Sequence, residues 1–193
     1  FKLAGTLNGG DRTGDDQSDN DDSGDDPAEA ALFSLTINSS DVTFEGSIGN
    51  SRALGNLTIN TYGDVDFRSQ SFPNASSIQV TGLAGDTTLR APDVAGEWRI
   101  TAAGGGRLSA ASGGTTSIEF SNMSTLVGSN FSDRFAIATG DDIDLSIIGN
   151  RDEDASNGTA TNTLVGADRE NHWSITSAGG GMLNGIIQFQ DID

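Results

Sequence analysis

Residues 88–100 read Thr-Leu-Arg-Ala-Pro-Asp-Val-Ala-Gly-Glu-Trp-Arg-Ile. Their frame, Thr-Leu followed at a fixed distance by aromatic-x-Ile, occurs three times in the chain. The frame returns at residues 125–137, which end in Phe-Ala-Ile, and at residues 163–175, which end in Trp-Ser-Ile. The copies thus begin at Thr88, Thr125 and Thr163, at nearly constant spacing. A fixed period of this length is typical of repeat proteins, in which each unit contacts mainly its neighbours. The sequence therefore predicts an elongated array of repeats.

A longer similarity is nested in the first. Residues 98–120 and residues 173–189 both run through aromatic-x-Ile, Gly-Gly-Gly-x-Leu and Ile-x-Phe. The second segment is shorter, and the difference falls around residues 112–114. Loops between strands vary in length in this way, whereas strand positions do not. The two Gly-Gly-Gly triplets are predicted to mark tight corners between rungs of the array.

Short alternating runs fill the chain from residue 32 onward. Examples are residues 33–37, 57–59, 118–120 and 187–189, each of which alternates apolar and polar side chains. This period of two is expected when one face of a strand is buried, and the β-branched and aromatic residues in the runs favour strands. No segment carries a sustained apolar stripe at helical spacing. The pattern predicts an all-β chain.

Strands this short fit a sandwich, a barrel or a β-solenoid, and the fixed repeat favours the last: a parallel β-helix with acidic loop insertions. We expect a coil turn of about 18–25 residues, and hence about two turns in each repeat. Trp98, Phe135 and Trp173 are expected to stack as one ladder or at alternate rungs. The predicted core contains Trp98, Ile100, Phe120, Phe135, Ile137, Trp173, Ile175 and Phe189.

Three segments follow from these patterns. Residues 1–30 hold the end of a repeat and an Asp-rich loop. Residues 31–87 carry solenoid rungs without the Thr-Leu repeat, and residues 88–193 carry the Thr-Leu repeats themselves. Residues 1–3 match the aromatic-x-aliphatic end of a copy, and residue 193 falls one position before another Thr-Leu would be due. We interpret the chain as part of a longer array; a small filament subunit with true ends is the alternative.

Composition excludes several classes of partner and site. The formal net charge is −18, from 28 acidic and 10 basic residues, so the chain repels nucleic acid and anionic membrane surfaces. There is no cysteine, hence no disulfide framework and no cysteine metal site. The single histidine, His172, excludes a multi-histidine metal site. No run approaches the ~18 consecutive apolar residues of a membrane-spanning helix.

Two acidic loops occupy equivalent places in the repeat frame, at residues 11–26 and 141–158. Residues 19–24 read Asp-Asn-Asp-Asp-Ser-Gly, which matches the opening of a calcium loop, although the twelfth position is Ala30 instead of the glutamate of an EF-hand. Converging carboxylate oxygens suit Ca²⁺, and a solvated loop without a fixed ion is the alternative. The predicted ligands are Asp15, Asp16, Asp19, Asp21, Ser23, Asp25 and Asp26 in the first loop and Asp141, Asp142, Asp144, Asp152 and Asp154 in the second.

A family resemblance rests on two groups of residues. Residues 54–60 followed by 63–67, Leu-Gly-Asn-Leu-Thr-Ile-Asn and Gly-Asp-Val-Asp-Phe, resemble the rungs of filamentous-haemagglutinin-type β-helices. The Thr-Leu-Val-Gly … Trp-x-Ile-Thr … Gly-Gly-Gly-x-Leu … Phe unit is similar to repeats of very large bacterial surface and secreted adhesins. The resemblance covers most of residues 30–193. It implies an extracellular or cell-surface location in a bacterium, and it bears on location and fold more than on molecular activity.

Two functions from different classes remain. The first is a structural or adhesive segment of an extracellular repeat protein or filament, stabilised by calcium and paired head to tail with adjacent repeats or further copies of itself. The second is a carbohydrate-active β-helix enzyme or a tailspike-like domain that binds a surface polysaccharide. His172 has no recognisable serine or aspartate partner, and no two acids stand out among 28. We therefore predict no catalytic residue and favour the first function.

Overall fold

A computed structural model describes residues 2–3, 33–67, 71–139, 143–150 and 160–193. Within these ranges every regular element is a strand, which confirms the all-β prediction. The strands form two mixed sheets. Sheet I contains, in spatial order, β1 (Lys2–Leu3), β3 (Val42–Phe44), β5 (Val65–Phe67), β7 (Thr88–Arg90), β11 (Thr125–Val127), β13 (Leu145–Ile148), β17 (Ile187–Gln190), β16 (Gly180–Leu183) and β15 (Trp173–Ser177). Sheet II contains β14 (Thr163–Val165), β12 (Arg134–Ile137), β8 (Gly96–Ala102), β9 (Gly105–Ala110), β10 (Ser117–Ser121), β6 (Ala75–Gly82), β4 (Leu54–Thr61) and β2 (Leu35–Ser39).

The chain alternates between the two sheets from β2 to β8, and neighbouring strands of this part are parallel. Leu57, for example, pairs with Leu35 of the preceding strand in sheet II and with Ile78 of the following one. Alternate side chains of these strands are buried, so equivalent apolar residues lie one above another in a shared core. The rings of Phe44 and Phe67 in sheet I stack in the same way, at a centroid distance of 5.1 Å.

The first two copies of the repeat lie side by side in register. In sheet I, Thr125 pairs with Thr88, and in sheet II, Phe135 pairs with Trp98. One repeat therefore corresponds to one step between neighbouring strands, and the expectation of about two coil turns in each repeat is wrong. The repeat is long because an extra hairpin, β9 with β10, follows β8 before the chain returns to sheet I.

The third copy changes sheets. Its Thr-Leu strand, β14, lies in sheet II, where Leu164 pairs with Phe135, and its aromatic strand, β15, lies in sheet I. The intervening strand β13 takes the place beside β11 that β14 would otherwise fill. The aromatic ladder therefore joins only the first two copies: the rings of Trp98 and Phe135 stack at 5.4 Å with an interplanar angle of 18°. The expectation that Trp173 continues this ladder is wrong.

The nested similarity corresponds to a repeated three-stranded hairpin. Module 1 consists of β8, β9 and β10, and module 2 of β15, β16 and β17; both are antiparallel throughout. Trp98 pairs with Leu108 in module 1 as Trp173 pairs with Leu183 in module 2, and each first strand carries a register shift after its isoleucine. The fold thus repeats a hairpin in addition to the parallel strands, which the prediction of a wholly parallel pairing did not include.

The Gly-Gly-Gly triplets close these hairpins instead of turning corners between rungs. Gly104 and Gly179 have φ values of +60° and +69°, a conformation that L side chains rarely adopt. A Cβ atom on Gly106 would clash with the Arg99 carbonyl oxygen, and one on Gly181 would clash with the Ser174 carbonyl oxygen. The first glycine of each triplet therefore forms the turn, and the third lets the two strands approach each other.

One apolar core collects the inward faces of both sheets. Six of the eight predicted core residues are buried in it: Trp98, Ile100, Phe120, Phe135, Ile137 and Phe189. Trp173 and Ile175 are the exceptions, with 40% and 67% of their surface exposed, so their assignment to the core is wrong. In the described part of the chain, no helix is long and apolar enough to cross a membrane.

Candidate functional site

The strand β15 is an apolar end strand that the described fold leaves uncovered on one side. It lies at one end of sheet I, and all five of its residues are exposed. In two other end strands, Leu164 of β14 and Ile37 of β2 are only 9% and 6% exposed, although Phe33, just before β2, is 49% exposed. An exposed apolar edge strand presents backbone hydrogen-bonding groups together with apolar side chains, which favours pairing with a further strand.

Module 1 shows what covers such a strand. The strand β12 runs parallel to β8 and places Phe135 on Trp98 and Ile137 beside Ile100. Trp98 is then fully buried between Phe135 and Phe120. Trp173 makes the corresponding edge contact with Phe189, at 5.8 Å and 71°, against 5.7 Å and 67° in module 1. No strand in the described ranges takes the place of β12 in module 2.

Beside module 1 lies a buried carboxylate, Asp133, which is 1% exposed. Its Oδ2 accepts hydrogen bonds from the Ser129 backbone N–H at 2.7 Å and from the Ser129 hydroxyl at 2.9 Å. Room for this carboxylate comes from two glycines, because a Cβ on Gly96 or on Gly128 would collide with its oxygens. The carboxylate therefore ties the loop after β11 to the start of β12.

Burial is the main influence on the acidity of Asp133 and raises its pKa from the ordinary 3.8 to about 6. The N–H and O–H donors of Ser129, with smaller contributions from the Trp98 indole and the Gly96 amide, oppose this rise. Asp133 Oδ1 and Trp98 Nε1 are both buried without a hydrogen bond of good geometry. We take the indole as a weak electrostatic neighbour of the carboxylate and not as its hydrogen-bond partner.

Three arginines surround a groove of about 490 Å³ on the outer face of sheet II. Arg99 pairs across the strands with Arg107 on one side and with Ala136 on the other. Arg107 forms an ion pair with Glu119 at 3.4 Å, and Arg134 forms one with Glu97 at 3.2 Å. Among the described residues Arg99 has no acidic partner. The groove is therefore locally positive in a chain whose net charge is −18.

Most of the predicted calcium ligands lie outside the described residues. These are Asp15, Asp16, Asp19, Asp21, Ser23, Asp25 and Asp26 of the first loop and Asp141, Asp142, Asp152 and Asp154 of the second. Asp144 is described and is exposed just before β13. Within the described ranges, no three histidine, cysteine or acidic side chains are placed to hold a metal ion together.

Sequence reasoning missed Asp133 and the groove. Asp133 precedes Phe135 and Ile137 by two and four positions, so the inward alternation of β12, extended back by two residues, points to it. Gly96 stands in the same relation to Trp98 and Ile100. The groove had no such signal, because it joins arginines from three strands whose neighbours only the sheet order reveals.

Comparison with known proteins finds no family model, no curated protein and no solved structure that matches this chain. The class that the geometry itself defines is an all-β protein of two mixed sheets built from repeated strands and hairpins. The resemblance to bacterial adhesin repeats stays a prediction.

Proposed function

We propose that the chain is a structural or adhesive segment of an extracellular repeat protein or filament, built as a parallel β-solenoid whose ends stack on further repeats. The observation that carries the proposal is the contrast between two like modules: Trp98 is covered by a strand of the next copy, whereas Trp173 is 40% exposed and has no covering strand among the described residues. The alternation of the chain between two sheets and the in-register pairing of successive copies support the solenoid. A bacterial cell-surface location rests on the acidic composition and on the adhesin resemblance.

End-to-end assembly is the first test. We expect the average mass in sedimentation equilibrium to rise with protein concentration, and electron microscopy to show linear assemblies one chain wide. Association should strengthen as NaCl rises from about 0.01 M to about 0.15 M, because the Debye length falls from about 30 Å to about 8 Å and screens repulsion between highly acidic copies. A chain that stays monomeric at every concentration and salt level would contradict the proposal.

Calcium is proposed to stabilise the first acidic loop through Asp19, Asp21 and Ser23, with neighbouring aspartates completing the shell. Eight aspartates within residues 11–26 repel one another unless cations neutralise them. We expect calcium titration to release or absorb heat and to raise the melting temperature, with a gain of about 2.7 kcal/mol when free calcium is about 100 times Kd.

The double variant Asp19→Asn, Asp21→Asn should lose most of this effect. The variant Asp168→Asn, which removes an exposed carboxylate outside both loops, should keep it. If calcium and a chelator give the same melting curve and no heat is measured, the loop is only a solvated acidic segment.

Binding of an acidic polysaccharide is a second candidate function, and the arginine groove favours it. Arg99 and Arg107 lie directly opposite each other, so a carboxylate between them would relieve the repulsion of two like charges. A nucleic acid or an anionic membrane would be repelled by the negative net charge of the whole chain, whereas a single uronate residue would contact only the positive groove.

The test uses a pectic oligogalacturonate, with a neutral glucan oligosaccharide of the same length as control. We expect the oligogalacturonate to bind and the glucan not to bind in calorimetric titrations. Replacing both Arg99 and Arg107 with alanine should weaken binding at least tenfold, since charged hydrogen bonds contribute about 1.5–3 kcal/mol each. Arg90→Ala removes a positive charge from sheet I and should leave binding unchanged; equal losses in the two variants would exclude the groove.

A further inference from the structure

The comparison of β15 with module 1 predicts the direction and the side chains of the strand that would cover it. In module 1, the covering strand β12 is parallel to β8 and carries Phe-Ala-Ile, with the aromatic residue on Trp98 and the isoleucine beside Ile100. The hairpin geometry of module 2 is the same, including the edge contact of its tryptophan. A matching partner for β15 is therefore a parallel strand with an aromatic residue opposite Trp173 and an aliphatic residue opposite Ile175.

Two aromatic-x-aliphatic segments stand at other sheet ends: residues 33–35, Phe-Ser-Leu, lead into β2 at an end of sheet II, whereas residues 1–3 belong to sheet I, as β15 does. Residues 1–3 read Phe-Lys-Leu, and β1, which contains Lys2, is the end strand of sheet I opposite to β15. Along sheet I, strand β1 pairs in parallel with β3, and the parallel pairs continue through β5, β7, β11 and β13 to β17. The hairpin of module 2 then reverses twice, which makes β15 parallel to β1 as well.

We propose that β15 of one copy is covered by β1 of a second copy, in the register that pairs Lys2 with Ser174. This proposal rests on the end-to-end assembly proposed above and names its contact. Residue 1 lies outside the described residues; by sequence order alone, this register brings the aromatic-x-aliphatic run of residues 1–3 opposite residues 173–175, as the Phe-Ala-Ile run of β12 lies opposite residues 98–100. Lys2 then lies on the outer side of the sheet, where it already forms an ion pair with Glu45 at 2.8 Å.

The flanking charge pair of module 1 does not carry over. Arg134 of β12 pairs with Glu97, the residue just before Trp98, whereas His172 precedes Trp173. A covering strand with an arginine at the position of Arg134 would therefore have no acidic partner at that position of module 2. The joint between copies consequently depends on apolar contact and backbone pairing, and should withstand salt that weakens surface ion pairs.

Cysteine cross-linking tests the register, because the chain has no cysteine of its own. Directly opposed residues of neighbouring strands lie about 5 Å apart, within the Cα range of a disulfide, whereas a shift of two residues gives about 8 Å and exceeds the limit of about 7 Å. Under mild oxidation, we expect a Lys2→Cys chain to form a disulfide-linked dimer with a Ser174→Cys chain at least ten times faster than with a Thr176→Cys chain. Thr176 is on the same strand two residues further on, at the register shift that follows Ile175.

A second measurement asks whether the apolar face drives the contact. Ile175→Lys should weaken self-association at least tenfold, while the matched control Met182→Lys, on an exposed side chain of the neighbouring strand, should leave it unchanged. If copies assemble end to end but both cysteine partners react equally and Ile175→Lys has no effect, this contact is wrong and the assembly proposal stands. If the unmodified chain does not assemble at all, or if a single chain carrying both cysteines links only to itself, β15 is not a joint between copies and both proposals fall.

Discussion

Trp98→Ala is expected to lower the free energy of unfolding by about 3–5 kcal/mol, the largest effect of any single substitution considered for this chain. Trp98 is fully buried, with Phe135 stacked on one face at 5.4 Å and Phe120 at its edge at 5.7 Å. Removing the indole leaves a cavity between two copies of the repeat, and a rigid stack cannot close it fully. Denaturant unfolding measures the loss as a lower midpoint at an unchanged slope.

Trp173→Ala is the matched control within the same chain. Trp173 occupies the equivalent place in module 2 and keeps the edge contact with its phenylalanine, but it is 40% exposed. We expect the monomer to lose about 1 kcal/mol or less, in line with partly exposed positions. If Trp98→Ala leaves too little folded protein to measure, Trp98→Phe keeps a ring in the stack and should still lose more than Trp173→Phe. Equal losses at the two positions would contradict the described burial.

The second large effect is a pH dependence that one buried carboxylate confers on stability. The pKa of Asp133 is about 6 in the folded chain because burial disfavours the charged form, against an ordinary value of 3.8. The folded chain therefore holds this proton more tightly than the unfolded chain between these two pH values. Its contribution is fully present below about pH 4 and is lost as the pH rises through about 6, by about 3 kcal/mol in total.

Asp133→Asn removes this titration and provides the test. We expect the unfolding free energy of the wild-type chain to fall relative to that of the variant between about pH 4 and about pH 6, and the difference to stay level from about pH 7 to about pH 8. The measurement is the slope of the unfolding free energy against pH. The absolute difference between the two chains is not used, because the asparagine amide also places donors near the Trp98 and Gly96 N–H groups and so shifts stability at every pH. Asp168→Asn, at an exposed carboxylate, should keep the wild-type slope; the same slope in all three chains would show that Asp133 does not titrate in this range.

Local sequence determined much of this fold. The period of two predicted strands throughout the described ranges, and six of eight proposed core residues are buried, because alternation states which face of a strand is apolar. The alignment of residues 98–120 with residues 173–189 also predicted a repeated unit in detail. Asn122 and Asp191, at equivalent places after the last strand of each module, share a φ of +56°.

Tertiary structure decided which strands become neighbours. The motif at residues 163–175 is as clear as the two before it, yet the strand β13 intervenes and sends β14 to sheet II and β15 to sheet I. Trp98 and Trp173 therefore share the aromatic-x-Ile motif and the same hairpin, and among the described residues only the first receives a covering strand. The groove, which joins arginines from three strands, likewise depends on which strands become neighbours. The physical reason is that alternation fixes the apolar face of a strand, whereas burial of that face depends on a partner distant in sequence, which no local pattern specifies.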